Sequence, residues 1–148
     1  MTEKIQLILV AGGLGKRLGH LQPKALAPLD GCPLLIHALK AFQEAELSEL
    51  AIVVYPEGYI EAFQEALRPE FQDESIQLVL GGRERYQSVE FGLKALSDET
   101  EIVMIHDAAR PFIKPKTIHA AVNAAFAFGA STVAVPCKDT ILRSTHDE

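Results

Sequence analysis

Ile5-Gln-Leu-Ile-Leu-Val10, running directly into Ala11-Gly-Gly-Leu-Gly-Lys-Arg17, decides the fold class of this 148-residue chain. Six residues dense in apolar side chains read as a strand covered on both faces, the pattern of a buried, mostly parallel sheet. A long, glycine-rich, basic loop follows, and the chain reaches Pro23-Lys24 before any helical pattern begins. Four more short runs have strand character: Ala51–Tyr55, Ile76–Leu80, 102–105 and 131–135. The segments between them have helical period. In 33–46 the apolar residues Leu35, Ala38, Leu39 and Phe42 form one stripe behind a proline, and 59–67, 88–96 and 115–128 repeat the pattern. Strands alternating with helices predict an α/β fold with helices packed on a mostly parallel sheet. In such sheets ligands bind outside the carboxyl ends of the strands, where this chain gathers many of its glycines and bases.

Composition narrows the function classes. A chain with 48% hydrophobic and 23% charged residues has the material for one globular core, which excludes a disordered or disulfide-stapled chain. No apolar run approaches the ~20 residues of a membrane span, and Met1-Thr-Glu-Lys-Ile5 lacks a basic signal region, so a cytoplasmic location is expected. Cys32 and Cys137 form no metal or redox pair motif. The formal charge of −6 argues against nucleic-acid binding. Nine acids lie between Glu44 and Glu74 with Arg68 as the only base there, so an acidic solvated face is separated from basic segments suited to a small polyanion.

Four loop clusters carry the chemistry. In the first, Gly12, Gly13 and Gly15 let backbone N–H groups converge on phosphate oxygens, and Lys16, Arg17 and Lys24 add positive charge. It is neither a Walker A loop, which needs a hydroxyl where Arg17 stands, nor a dinucleotide fingerprint, which needs a small residue at Leu18. The second, Gly81-Gly-Arg-Glu-Arg-Tyr-Gln-Ser88, permits close backbone approach, and Ser88 either caps the following helix or presents its hydroxyl to a ligand. The third is His106-Asp-Ala-Ala-Arg-Pro111. There Asp107 is the candidate ligand for Mg²⁺, or else pairs with Arg110 to fix a turn, while His106 packs or hydrogen-bonds. The fourth, Pro136-Cys-Lys-Asp-Thr140, either grips an anion or forms an exposed turn.

In this order and spacing the clusters resemble the 2-C-methyl-D-erythritol 4-phosphate cytidylyltransferase family of the non-mevalonate isoprenoid route. The matching pieces are Ala11-Gly-Gly-Leu-Gly-Lys-Arg17 with Pro23-Lys24, Gly81-Gly-x-x-Arg-x-x-Ser-Val89, His106-Asp-Ala-Ala-Arg-Pro111 and Asp139-Thr140. The resemblance implies a Rossmann-like three-layer sandwich of the nucleotide-diphospho-sugar transferase type, with a mostly parallel (mixed) central sheet. It also implies a Mg²⁺-dependent enzyme that joins CTP to a sugar-alcohol phosphate and releases pyrophosphate. Arg17 and Lys24 would be catalytic, neutralising the α-phosphate and the departing pyrophosphate. Gly12, Gly13 and Gly15 would cradle the triphosphate, and Ala11, Gly82 and Ser88 would contact cytosine. Arg85 and Arg110 would shape that pocket, Asp107 would serve magnesium and substrate hydroxyls, and Thr140 would touch the substrate phosphate.

The chain departs from the family pattern at Val10-Ala-Gly-Gly13, at Pro23-Lys-Ala-Leu26 and at Arg83. Family members are also longer, with a dimer-forming arm in the additional portion. Residues 1–148 are therefore expected to form a single nucleotidyltransferase domain, incomplete at its C-terminus, with the family's homodimer in doubt. Two alternatives accompany the main expectation. One is a ribitol-5-phosphate cytidylyltransferase, although Ala109 favours the isoprenoid enzyme; the other is a non-catalytic nucleotide-binding module.

Overall fold

The computed structural model describes residues 4–13, 22–48, 50–71 and 73–140. Its elements are β1 (Ile5–Val10), the short strands β2 (Pro28–Leu29) and β3 (Cys32–Pro33), α1 (Leu34–Ala45), β4 (Ala51–Tyr55), α2 (Ile60–Leu67), β5 (Ile76–Leu80), α3 (Arg85–Lys94), β6 (Ile102–Asp107) and α4 (Pro115–Phe128). The four longer strands form one sheet in the order β5-β4-β1-β6, with every pairing parallel. Among the described residues the central sheet is thus wholly parallel.

Strand alternation divides the core in two. Leu7 and Leu9 of β1 and Val53 of β4 face a cluster built from Leu35, Leu39 and Phe42 of α1, Phe63 and Leu67 of α2, and Ile118 of α4. Ile8, Val10, Ile52 and Val54 face the opposite way, against Val89 of α3 together with Ala95 and Leu96. Helices therefore cover both faces, in three layers. Each fully buried aliphatic side chain in these clusters contributes roughly 1.5–3 kcal/mol, which is why the central strands read as nearly continuous apolar runs. Among the described residues no helix is long and apolar enough to cross a membrane.

The strand order creates a crevice. The chain moves outward from β1 to β4 to β5, then returns to place β6 on the other side of β1. That reversal is a topological switch point, and it sets the carboxyl ends of β1 and β6 side by side, with Val10 paired to Asp107.

Two sequence expectations change, and one element is added. The run 131–135 does not form a strand. Ser131 donates its hydroxyl to the Ala121 carbonyl at 2.7 Å, so the segment is tied to α4 and faces β6 across an open groove lined by Val103, Ile105, Phe112 and Val133. β-Branched residues make a strand only where a ladder partner is within reach. Helix α3 begins at Arg85 and not at 88, because Glu84 occupies the N-cap and its N–H donates to the Gln87 side chain at 3.0 Å. The β2/β3 hairpin is an addition. Asp30 and Gly31 both have positive φ (50° and 77°), the conformation of a tight two-residue hairpin turn, but strands of two residues leave no alternation to detect.

Candidate nucleotide site

Three of the four predicted clusters meet at the switch point. The glycine loop leaves β1 with its first residue pinned, the Ala11 N–H donating to the Val54 carbonyl at 2.9 Å. Further on, the Lys24 N–H donates to the Gly13 carbonyl at 3.0 Å. This bond closes the loop, so the exposed Lys24 stands at its mouth, at the start of a 3-10 turn covering Lys24–Leu26. Gly15, Lys16 and Arg17 lie outside the described residues.

The second cluster is joined to the first through one hydroxyl. Gly81 donates its N–H to the Tyr55 carbonyl at 2.8 Å, which extends the sheet register by one residue. Ser88 is 2% exposed and its Oγ accepts the Gly82 N–H at 3.1 Å. A Cβ added to Gly81 would lie 2.8 Å from that Oγ and 3.1 Å from the Tyr55 carbonyl oxygen, and one on Gly12 would lie 3.5 Å from the same Oγ. The tight position is Gly81, where a side chain would meet Ser88 and the Tyr55 carbonyl, whereas a Cβ on Gly12 would stand in ordinary contact with the hydroxyl. Of the two roles expected for Ser88, helix capping falls to Glu84, and the hydroxyl is turned toward both glycine loops.

The third cluster supplies charge. Asp107, the last residue of β6, accepts Arg85 Nε–H and Nη2–H on Oδ1 at 3.0 and 2.9 Å and Arg110 Nε–H on Oδ2 at 3.0 Å. The turn expected from an Asp107 to Arg110 pair is present, with the Arg110 N–H on the Asp107 carbonyl at 3.0 Å. Arg85 crosses from α3 to the same carboxylate, a link that 22 residues of separation hide from the sequence. Two guanidinium groups on one carboxylate leave a net positive charge beside the glycine loop, as an anion site requires. His106 packs edge-on to Phe42 of α1, with centroids 5.1 Å apart, and its Nε2–H donates to the Arg110 carbonyl at 2.9 Å. Burial pushes the imidazole below its ordinary value, outweighing the opposing effects of the Arg110 carbonyl and the Asp107 charge. Phe42 was legible only as part of a helical stripe; nothing in the sequence links it to His106.

The fourth cluster stays apart. Thr140 is exposed at the end of an irregular segment, and no hydrogen bond among the described residues ties it to the other three clusters.

Metal binding tests the donor set further. Among the described residues no three carboxylate, histidine or cysteine side chains gather. Asp107 therefore suits Mg²⁺ only as one ligand beside phosphate oxygens and water, the way this cation is held in nucleotide sites. Its side chain is 31% exposed and its arginine partners are 60% and 75% exposed, so these ion pairs can exchange partners at little cost.

With this geometry in view, comparison with known proteins is specific. A family model described as 2-C-methyl-D-erythritol 4-phosphate cytidylyltransferase matches residues 5–148. The chain is similar to the protein of that name from Bacillus licheniformis, 41% identical over 138 residues, covering 93% of this chain and 59% of the relative. It is also similar to the one from Syntrophus aciditrophicus, 36% identical over 142 residues, covering 95% and 61%. The chain thus spans about 60% of the length of the curated relatives it matches. Among solved structures, 4-diphosphocytidyl-2C-methyl-D-erythritol synthase from Anaerococcus prevotii shares the fold, with a TM-score of 0.72 at 24% identity over 85% of this chain and 52% of that one.

Proposed function

Because the chain belongs to the 2-C-methyl-D-erythritol 4-phosphate cytidylyltransferase family, we propose that it binds CTP at the β1/β6 switch point and transfers the cytidylyl group to 2-C-methyl-D-erythritol 4-phosphate. The observation that carries this is the meeting of two glycine loops and an arginine-clamped carboxylate at one end of a parallel sheet.

A phosphate oxygen of the acceptor attacks the α-phosphorus of CTP, the bond to the bridging oxygen breaks, and pyrophosphate departs. No covalent enzyme intermediate is needed, so positioning and charge neutralisation do the work. Backbone N–H groups of Gly12, Gly13 and Gly15 cradle the triphosphate. Lys24, at the loop mouth, and Arg17 take up charge on the α-phosphate and the leaving group. Ala11, Gly82 and Ser88 surround the cytosine, Arg85 and Arg110 wall that pocket, and Thr140 serves the acceptor phosphate. Asp107 orients the two arginines and substrate hydroxyls and, with the nucleotide's own oxygens, would hold magnesium. When bound, that ion supplies neutralisation of phosphate charge. Small-molecule partners and a cytoplasmic location belong to the same proposal.

The test is pyrophosphate release by the chain supplied with CTP, Mg²⁺ and 2-C-methyl-D-erythritol 4-phosphate. Release that depends on the acceptor and is lost in Lys24→Ala supports transfer. No release from a folded, CTP-binding chain would confine its role to nucleotide binding.

A further inference from the structure

His106 has a role that its position in the third cluster makes specific. β6 ends in two residues that point to opposite faces of the sheet. Asp107 meets Arg85 of α3 on one side, and His106 meets Phe42 of α1 on the other. The turn that follows is held at three points. Ala108, fully buried, donates its N–H to the Val10 carbonyl at 2.9 Å, and the Arg110 N–H donates to the Asp107 carbonyl at 3.0 Å. The third point is the His106 Nε2–H on the Arg110 carbonyl, at 2.9 Å. The first two fix the start of the turn, and the His106 bond is the one that fixes the peptide carrying the Arg110 side chain onward. The ring cannot swing to break it without leaving the edge of Phe42.

We propose that His106 is a positioning residue: braced against Phe42, it holds the Arg110 carbonyl and so sets the pose of the turn that presents Asp107 and Arg110 to the nucleotide. No proton is transferred, and His106 need not touch the substrate. The link to nucleotide binding rests on the function proposed above; the link to the turn does not.

Two substitutions separate the hydrogen bond from the packing. His106→Phe keeps an aromatic ring against Phe42 and removes the donor. His106→Gln loses the ring but carries an amide N–H where Nε2–H stood. Two measurements are made on the parent and both variants: backbone amide exchange at Ala108 and Arg110, and calorimetric affinity for CTP with Mg²⁺. His106→Phe is expected to speed exchange at Arg110 by about tenfold, with β1 and β4 amides unchanged, and to weaken CTP binding by about tenfold. His106→Gln is expected to restore most of both. Unchanged exchange at Arg110 in His106→Phe would overturn the proposal, and so would equal losses in both variants spread across the sheet, since the residue would then merely fill the core. If the parent itself fails to bind CTP, the proposed function fails, and the exchange result still decides whether His106 holds the turn.

Discussion

Arg85, on α3, places two N–H donors on a single oxygen of Asp107 at the end of β6, at 3.0 and 2.9 Å, while Arg110 occupies the other oxygen. The carboxylate thereby orients two positive groups, one from α3 and one from the turn after β6. Asp107→Asn removes its charge and one of its two acceptor oxygens, so at most one of the two guanidinium groups keeps its acceptor. CTP affinity should fall about tenfold by calorimetry, while urea unfolding should change by less than about 1 kcal/mol, because these pairs are largely exposed. Unchanged affinity would show that the arginines need no such orientation.

Gly81 sits where a methyl group has no room: 2.8 Å from Ser88 Oγ, 3.1 Å from the Tyr55 carbonyl oxygen and 3.2 Å from Val54 Cγ1. Gly81→Ala should destabilise the protein by roughly 1–3 kcal/mol in urea unfolding. Gly13, with nothing within 4 Å of an added Cβ, is the control, and Gly13→Ala should shift stability by less than about 0.5 kcal/mol. Equal costs at the two positions would contradict the tight packing of Gly81 against Ser88, Tyr55 and Val54.

Ser88→Ala leaves the Gly82 N–H without its acceptor. Losing the acceptor of this half-buried donor costs about 1 kcal/mol, and the loss should be local. Amide exchange at Gly82 should accelerate strongly while β1 amides keep their protection. No change at Gly82 would mean that the hydroxyl does not hold the loop.

Lys24→Ala and Arg17→Ala each remove a positive charge proposed to face the triphosphate. Each should weaken CTP binding or turnover by about tenfold or more, and the effect should shrink at high salt. Glu61 and Glu65, both exposed on α2, should tolerate alanine. Equal effects at the bases and the acids would contradict the placement of the polyanion site.

The sheet was legible in the sequence because buried parallel strands are short, apolar and β-branched, and Ile5–Val10, Ala51–Tyr55 and Ile76–Leu80 have the expected bounds. Helix ends were less so. Ser88 looks like a cap, yet Glu84 with Gln87 caps α3, because a capping pair competes with any nearby hydroxyl. The run 131–135 has strand composition, but Ser131 is bound to α4 and β6 lies across a groove, a tertiary fact that local propensity does not contain. At the site, the loops' glycines and charges were readable as motifs. Beyond the pair of Asp107 with Arg110, which side chain meets which was not. Arg85 on Asp107 and Phe42 against His106 depend on the packing of two helices on opposite faces of one strand.

The most direct test of the central claim is a calorimetric titration of the chain with CTP and Mg²⁺ beside UTP and ATP. Cytosine presents an exocyclic amine where uracil presents a carbonyl, so a pocket of fixed backbone groups and the Ser88 hydroxyl can tell them apart. CTP should bind at least about tenfold more tightly than either competitor. Equal binding of the three nucleotides, or no binding by a chain shown to be folded, would contradict a cytidine-specific site at the β1/β6 switch point.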